Sequence, residues 1–218
     1  MTVPAIDVRA LSKLHGNSPA LLDVSFEIAV GSRVRLTGAS GSGKSTLLKL
    51  LAGCMTPSGG RIRLHGADLR LMRLEATAAI GYVPQASSAC TSMRPADILD
   101  YSGRSRQLPR ATLDQRIRSV VEQWSLGPCL DSRCDSLEPA LRTRVALALA
   151  MLHEPTLLLL DEPLTGLPAA AARELLARID ARAGRATVVL ACGGDTPGTA
   201  WGTRHLALAR GRLQTDER

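Results

Sequence analysis

Aromatic residues are scarce: Phe26, Tyr82, Tyr101, Trp124 and Trp201 are the only ones in 218 residues. Five dispersed rings do not make a base-stacking platform. Lysine is also scarce, with 3 residues against 24 arginines, and those arginines are scattered among alanines rather than gathered in a block. The net charge of +7 therefore reads as surface arginine, and no nucleic-acid partner is expected. No apolar run approaches the roughly 20 residues that cross a bilayer. The longest, residues 145–152 and 157–160, fall well short, so any pore is expected in another polypeptide. The opening MTVPAIDVRA has no basic stretch followed by an apolar one, which removes a secretory leader and makes the cytoplasm the default location. Cys54, Cys90, Cys129, Cys134 and Cys192 are odd in number and contain no C-x-x-C pair, favouring reduced thiols over a disulfide framework.

With 45% hydrophobic and 22% charged residues, the chain suits one globular domain or a domain carrying a subdomain. Apolar alternation predicts strands at residues 5–9, 21–28 and 33–37, the first two separated by the turn-like Gly16-Asn17-Ser18-Pro19. A helix is expected from Lys44, carrying Leu47, Leu48, Leu50 and Leu51 and ended by Gly53. Gly59-Gly60 reads as a turn before a strand at 61–64, and 78–83 as a further strand. From about 95 to 152 the pattern turns helical, with Leu113, Ile117, Val120, Val121 and Trp124 on one face. Strands return at 156–160 and 187–190 around a helix at 169–183, followed by a terminal pair near 205–213. Strands alternating with helices predict an α/β fold with a mainly parallel sheet.

Gly38-Ala39-Ser40-Gly41-Ser42-Gly43-Lys44-Ser45 matches G-x-x-x-x-G-K-[ST], between a predicted strand and a predicted helix. Glycines let successive backbone N–H groups curl around a phosphate chain, and the helix N-terminus adds a positive field. Lys44 is expected to reach the β and γ phosphates and the Ser45 hydroxyl to sit on Mg²⁺; Thr46 is counted with this cradle. A second element, Leu157-Leu158-Leu159-Leu160-Asp161-Glu162, is an apolar strand delivering two carboxylates at its C-terminal end, where ligands sit in open parallel sheets. Adjacent side chains on an extended segment diverge, so the acids hold different tasks. Asp161 is placed to hold Mg²⁺, and Glu162 to polarise an attacking water as the catalytic residue.

GASGSGKSTLLKLLAG at 38–53, IGYVPQ at 80–85 and RVALALAMLHEPTLLLLDEP at 144–163 together resemble the ATP-binding cassette (ABC) ATPases, over nearly the whole chain. The resemblance implies a P-loop RecA-like core with an N-terminal antiparallel β subdomain and a helical subdomain at about 86–153, all within a single domain spanning 1–218. It implies ATP and Mg²⁺ as cofactors, and a second cassette and a membrane permease as partners, at the inner face of the cell membrane. Gln85 falls at the glutamine-loop position, implying a contact to Mg²⁺ or the attacking water. His15 falls where the family commonly stacks an aromatic on adenine; a solvent-facing loop histidine is the equal alternative. A soluble ABC-type ATPase or ATP-gated interaction subunit is the competing function, and long inserted arms or a second cassette would favour it. A P-loop small-molecule kinase would show an arginine-rich lid, and no such cluster is visible.

Three segments depart from the family pattern. The signature L-S-G-G-Q becomes Leu137-Glu138-Pro139-Ala140-Leu141, placing a carboxylate near a polyanion, removing a backbone donor and adding a Cβ. As local structure, Glu138-Pro139 suits the start of a helix. The switch histidine expected after the strand at 187–190 is missing from Ala191-Cys192-Gly193-Gly194-Asp195. S-A-L-D becomes Thr165-Gly166-Leu167-Pro168, without its aspartate. The expectation is a degenerate cassette, heterodimer favoured over homodimer, with slow or partner-dependent hydrolysis.

Overall fold

A computed structural model describes residues 3–85, 92–193 and 201–217. The chain opens with β1 (Ile6–His15), β2 (Ser18–Ile28) and β3 (Arg33–Thr37), followed by α1 (Lys44–Leu51), β4 (Gly59–Leu64), β5 (Ala67–Asp68), α2 (Arg73–Ala78) and β6 (Ile80–Val83). A helical stretch follows: α3 (Pro95–Ser105), α4 (Arg110–Gln123) and α5 (Pro139–Met151). It ends with β7 (Leu157–Asp161), α6 (Ala169–Ala183), β8 (Thr187–Cys192), β9 (Arg204–Ala209) and β10 (Arg212–Glu217).

The strands form two sheets. One is antiparallel, in the order β2-β1-β4-β5; the other runs β10-β9-β3-β8-β7-β6 and is parallel except for the terminal β9-β10 pair. The expected α/β architecture, with a P-loop core, an antiparallel β subdomain and a helical subdomain, is the one observed.

The run of four leucines in β7 explains why the two layers hold together. Leu157 and Leu159 lie in the core shared with α1 and the antiparallel sheet, while Leu158 and Leu160 lie in the core beneath α3–α6. A side chain alternates face at every step along a strand, so an uninterrupted apolar run is the signature of burial on both faces. The predicted stripe on α4 faces the second core: Leu113 and Val120 are buried, Trp124 just beyond the helix is 0% exposed, and Ile117 and Val121 pack alongside.

Three expectations are corrected. Gly59 and Gly60 open β4 instead of forming a turn; Gly60 has φ +82°, and a Cβ there would fall 2.4 Å from the Ala10 carbonyl oxygen. The glycine answers a close backbone approach beside the irregular register between β1 and β4. The first strand runs on past residue 9 to His15, because that irregularity bends the pairing without ending it. The strand expected at 78–83 begins only at Ile80, since the alanine-rich 76–79 segment closes α2 first.

His153, between α5 and β7, ties the helical layer to the sheet by donating from Nε2 to the Ile80 carbonyl at 3.0 Å. Its Nδ1 is buried without a hydrogen-bond partner. Burial, helped by the nearby Arg106 and Arg116 charges, pushes its pKa from 6.5 down to about 4. Between those values the unfolded chain binds a proton that the folded chain refuses, so stability is lost as pH falls from 6.5 toward about 4. Urea midpoints measured across that window are expected to fall for the native chain and to hold steadier for His153→Gln, whose amide still donates but does not titrate.

Candidate functional site

The loop between β3 and α1 follows from its glycines. Gly43 has φ +106°, and a Cβ there would lie 2.7 Å from the Ala20 carbonyl oxygen and 2.8 Å from Leu21 Cδ2. Only glycine fits that approach, and it allows the chain to enter α1 with no side chain over the helix N-terminus. The loop lines a cavity of about 600 Å³ through Ser40, Gly41, Ser42, Gly43, Lys44, Ser45 and Thr46, with Gln85 and Glu162 on its wall.

Lys44 begins α1, and its side chain is 4% exposed. Its Nζ donates to the carbonyls of Gly38 at 2.7 Å and Ala39 at 3.1 Å, and lies 3.2 Å from Glu162 Oε1. These contacts place Gly38 and Ala39 behind the lysine, off the cavity wall. Ser45 Oγ donates to Asp161 Oδ1 at 3.0 Å, joining α1 to the end of β7.

Asp161 and Glu162 diverge, but the divergence comes from a left-handed turn at Glu162, just past the end of β7, and not from extended-strand alternation. Asp161 is 1% exposed, and its Oδ2 is buried without a hydrogen-bond partner. Burial raises its pKa; the Ser45 hydrogen bond opposes the shift and the neighbouring Glu162 charge adds to it. Glu162 has φ +49°, a turn that swings its carboxylate into the cavity. Its Oε2 accepts from Gln85 Nε2 at 3.0 Å and from Thr165 Oγ1 at 3.3 Å. Gly193 stands against the same carboxylate, where an added Cβ would lie 3.2 Å from Oε1.

The arrangement fits a phosphate chain with a hard cation. Ser45, Asp161, Gln85 and Glu162 are all oxygen donors, as Mg²⁺ prefers, and Asp161 Oδ2 is a buried acceptor still lacking a partner. Among the described residues no group of three or more His, Cys, Asp or Glu side chains is placed to hold a metal ion.

Of the residues singled out from sequence, Lys44, Gln85 and Glu162 form one contact group and Ser45 and Asp161 another, side by side because Lys44 precedes Ser45 and Asp161 precedes Glu162 in the chain. His15 joins neither. It lies exposed at the end of β1, paired with Ser18 across the hairpin, and is not among the residues lining the cavity. Ala20 and Leu164 line the cavity and were not anticipated, since a small apolar residue has no chemical signature. Thr165 entered only as part of a departure from the family pattern, yet its hydroxyl holds Glu162. Its signal was spacing: its N–H donates to the Glu162 carbonyl at 3.2 Å, the i to i+3 bond of a β-turn.

The signature segment takes the local structure its residues dictate. Exposed Glu138 precedes α5, Pro139 takes its first position, and buried Leu137 anchors the entry. Pro168 stands at the N-cap of α6. Gly193 follows β8, while Gly194 and Asp195 lie outside the described residues.

The family described as ABC transporter matches residues 21–165. The sulfate/thiosulfate import ATP-binding protein CysA of Thermosynechococcus vestitus is 38% identical over 172 residues, covering 79% of this chain and 51% of that protein. The Nod factor export ATP-binding protein I of Rhizobium meliloti is 33% identical over 163 residues, covering 75% and 49%. The chain thus spans about half the length of the curated relatives it matches. Among solved structures, cbiO1 from Clostridium perfringens superposes with a TM-score of 0.87 at 22% identity, covering 98% of this chain and 88% of that one. The cassette MJ0796, a dimer bound to ADP and Pi, has a TM-score of 0.87 at 21% identity, covering 98% of each chain. At these identities the likeness is one of fold.

Replacing Asp161 by Asn removes a buried charge with an unpartnered oxygen. Calorimetry without Mg²⁺ is expected to show a higher thermal midpoint for Asp161→Asn than for the native chain. The extra stabilisation that Mg²⁺ adds to ADP in the native chain is expected to disappear in the variant.

Proposed function

Because the chain belongs to the ABC transporter family, we propose that it is the ATP-binding subunit of a transporter, binding MgATP between two cassettes to drive a separate membrane permease. The observation that supports this best is the pair of contact groups beside the glycine loop: Lys44 and Gln85 meet on Glu162, while the adjacent Ser45 bonds the adjacent Asp161. In this reading residues 1–218 form one cassette, with a helical subdomain at about 86–153, working at the cytoplasmic face of the membrane. Its relatives include proteins named for import and for export, so the family alone assigns no direction.

The loop N–H groups and the α1 N-terminus bind the phosphates, with Lys44 supplying the positive charge. Ser45 and Asp161 would hold Mg²⁺, which neutralises charge on the phosphate oxygens when bound. Gln85 and Thr165 orient Glu162, whose carboxylate accepts a hydrogen bond from the attacking water and aligns it with the terminal phosphorus. Phosphoryl transfer needs positioning and charge neutralisation more than covalent help, so these placements are the chemistry this chain contributes.

The altered segments support an asymmetric pair. A partner cassette that presents its nucleotide to Glu138 and Pro139 meets a like charge and a missing N–H. In a homodimer both sites meet this fault; a heterodimer with an intact signature repairs one. Steady-state ATPase of the purified chain is expected to be slow, with the residual rate removed by Glu162→Gln and raised by a partner cassette. Fast turnover by the chain alone, abolished by Glu162→Gln, would overturn the degenerate reading.

For the permease, the surface offers a groove of about 630 Å³ between α2, β6 and α3, lined in part by Leu74, Met93 and Tyr101. Leu74 is 83% and Tyr101 68% exposed, a costly display of apolar surface unless a partner covers it. Leu74→Asp with Tyr101→Asp is expected to abolish co-purification with a membrane partner while nucleotide affinity stays within about twofold, since both lie outside the nucleotide cavity.

A further inference from the structure

We propose that Glu162 and a nucleotide phosphate compete for Lys44, so that phosphate arrival itself transfers the glutamate from a counter-ion role to a free catalytic carboxylate. The inference rests on the nucleotide-binding reading above and adds a regulation of that site.

The Lys44 ammonium has three partners: its N–H groups donate to the Gly38 and Ala39 carbonyls, and Glu162 Oε1 stands 3.2 Å away as its ion-pair partner. With the lysine side chain only 4% exposed, water is a poor substitute for these partners. A buried cation needs an anion, and Glu162 is the only carboxylate paired with Lys44 among the described residues. The two carbonyls belong to the loop that carries the lysine and move with it. Glu162 comes from another element, so it is the exchangeable partner. An incoming phosphate oxygen, seeking the same ammonium, displaces it.

The displaced carboxylate does not swing free. Its Oε2 is held from the opposite side by Gln85 Nε2 and Thr165 Oγ1, and the turn from Glu162 to Thr165 fixes the backbone beneath it. Losing Lys44 therefore frees the lone pairs of Oε1 while the group stays at the cavity wall. Gly193, whose Cβ would crowd Oε1, leaves that oxygen open on its remaining side. Binding and readiness for chemistry are thereby coupled within one cassette, before any partner engages.

The test is MgADP affinity by titration calorimetry, where no hydrolysis intervenes, for the native chain, Glu162→Gln and Glu162→Asp. Gln keeps the shape and removes the charge. Asp keeps the charge but is one methylene too short to reach Lys44, and it tolerates the left-handed backbone. Competition for the lysine predicts that both variants bind MgADP about tenfold more tightly, a change of about 1.4 kcal/mol. Tighter binding by Glu162→Gln alone means through-space repulsion and overturns the exchange, as does native-like or weaker binding by both. If the native chain binds neither MgADP nor MgATP, the nucleotide reading itself falls and the inference with it.

Discussion

The site depends on the burial of β7 on both faces. Four consecutive leucines, divided two and two between the cores above and below the sheet, leave the strand no freedom to slide or rotate. A one-residue slip would exchange both sets of side chains at once. Its last residue, Asp161, and the residue beyond, Glu162, are thereby delivered to the C-terminal edge of a parallel sheet at a fixed height. β3, on the far side of β8, ends at the same edge and releases the glycine loop. β3 and β7, with β8 between them, thus set the distance between the glycine loop and the two acids.

What those strands deliver is a concentration of charge that burial makes costly. Lys44 and Asp161 are nearly inaccessible, and neither is neutralised as a simple isolated pair. Lys44 shares its charge among two carbonyls and Glu162, and Asp161 has one oxygen on Ser45 and the other unpartnered. Such an arrangement does little for stability, because removing ions from water costs more than imperfect pairing returns. It makes sense as a site tuned for a ligand that brings both a polyanion and a divalent cation, each matching a charge already in place. The strained backbone at Glu162, in a conformation that side-chain-bearing residues seldom adopt, belongs to the same trade of stability for placement.

How far this was legible in the sequence depended on whether the signal was local. The glycine loop, the leucine strand with its two acids, and the helix at Ala169–Ala183 each write their structure within a few residues, and each was found where expected. The α4 stripe was legible because helical periodicity survives without knowledge of its partner. Apart from the late start of β6, set by the local helix preference of the segment before it, the failures were long-range. Gly60 looked like a turn residue because the Ala10 carbonyl that requires it lies fifty positions earlier. β1 looked short because pairing, and not local preference, carries it through its irregular middle. Thr165 carried no chemical signature of its own; its role appears only once a turn brings its hydroxyl back to Glu162. His15 lies exposed at the end of β1, outside the cavity lining, as its solvent-facing alternative expects.

The altered signature shows why fold and function part company at one position. Glu138 and Pro139 are good choices for starting a helix, since proline fits the first helical position and an acid complements the positive end of the dipole. The same two residues are poor choices for holding a phosphate at that end, because the acid occupies the field and the proline removes an N–H. Local folding energy and anion binding draw on one resource, the field and unpaired N–H groups of a helix N-terminus; here Pro139 removes one N–H and Glu138 places its charge nearby without a capping hydrogen bond. The α1 terminus makes the opposite choice: Gly43 caps it with no side chain, leaving its N–H groups for a ligand. The two helix ends of one chain thus differ in what stands before their first N–H groups: a glycine at α1, an acid and a proline at α5.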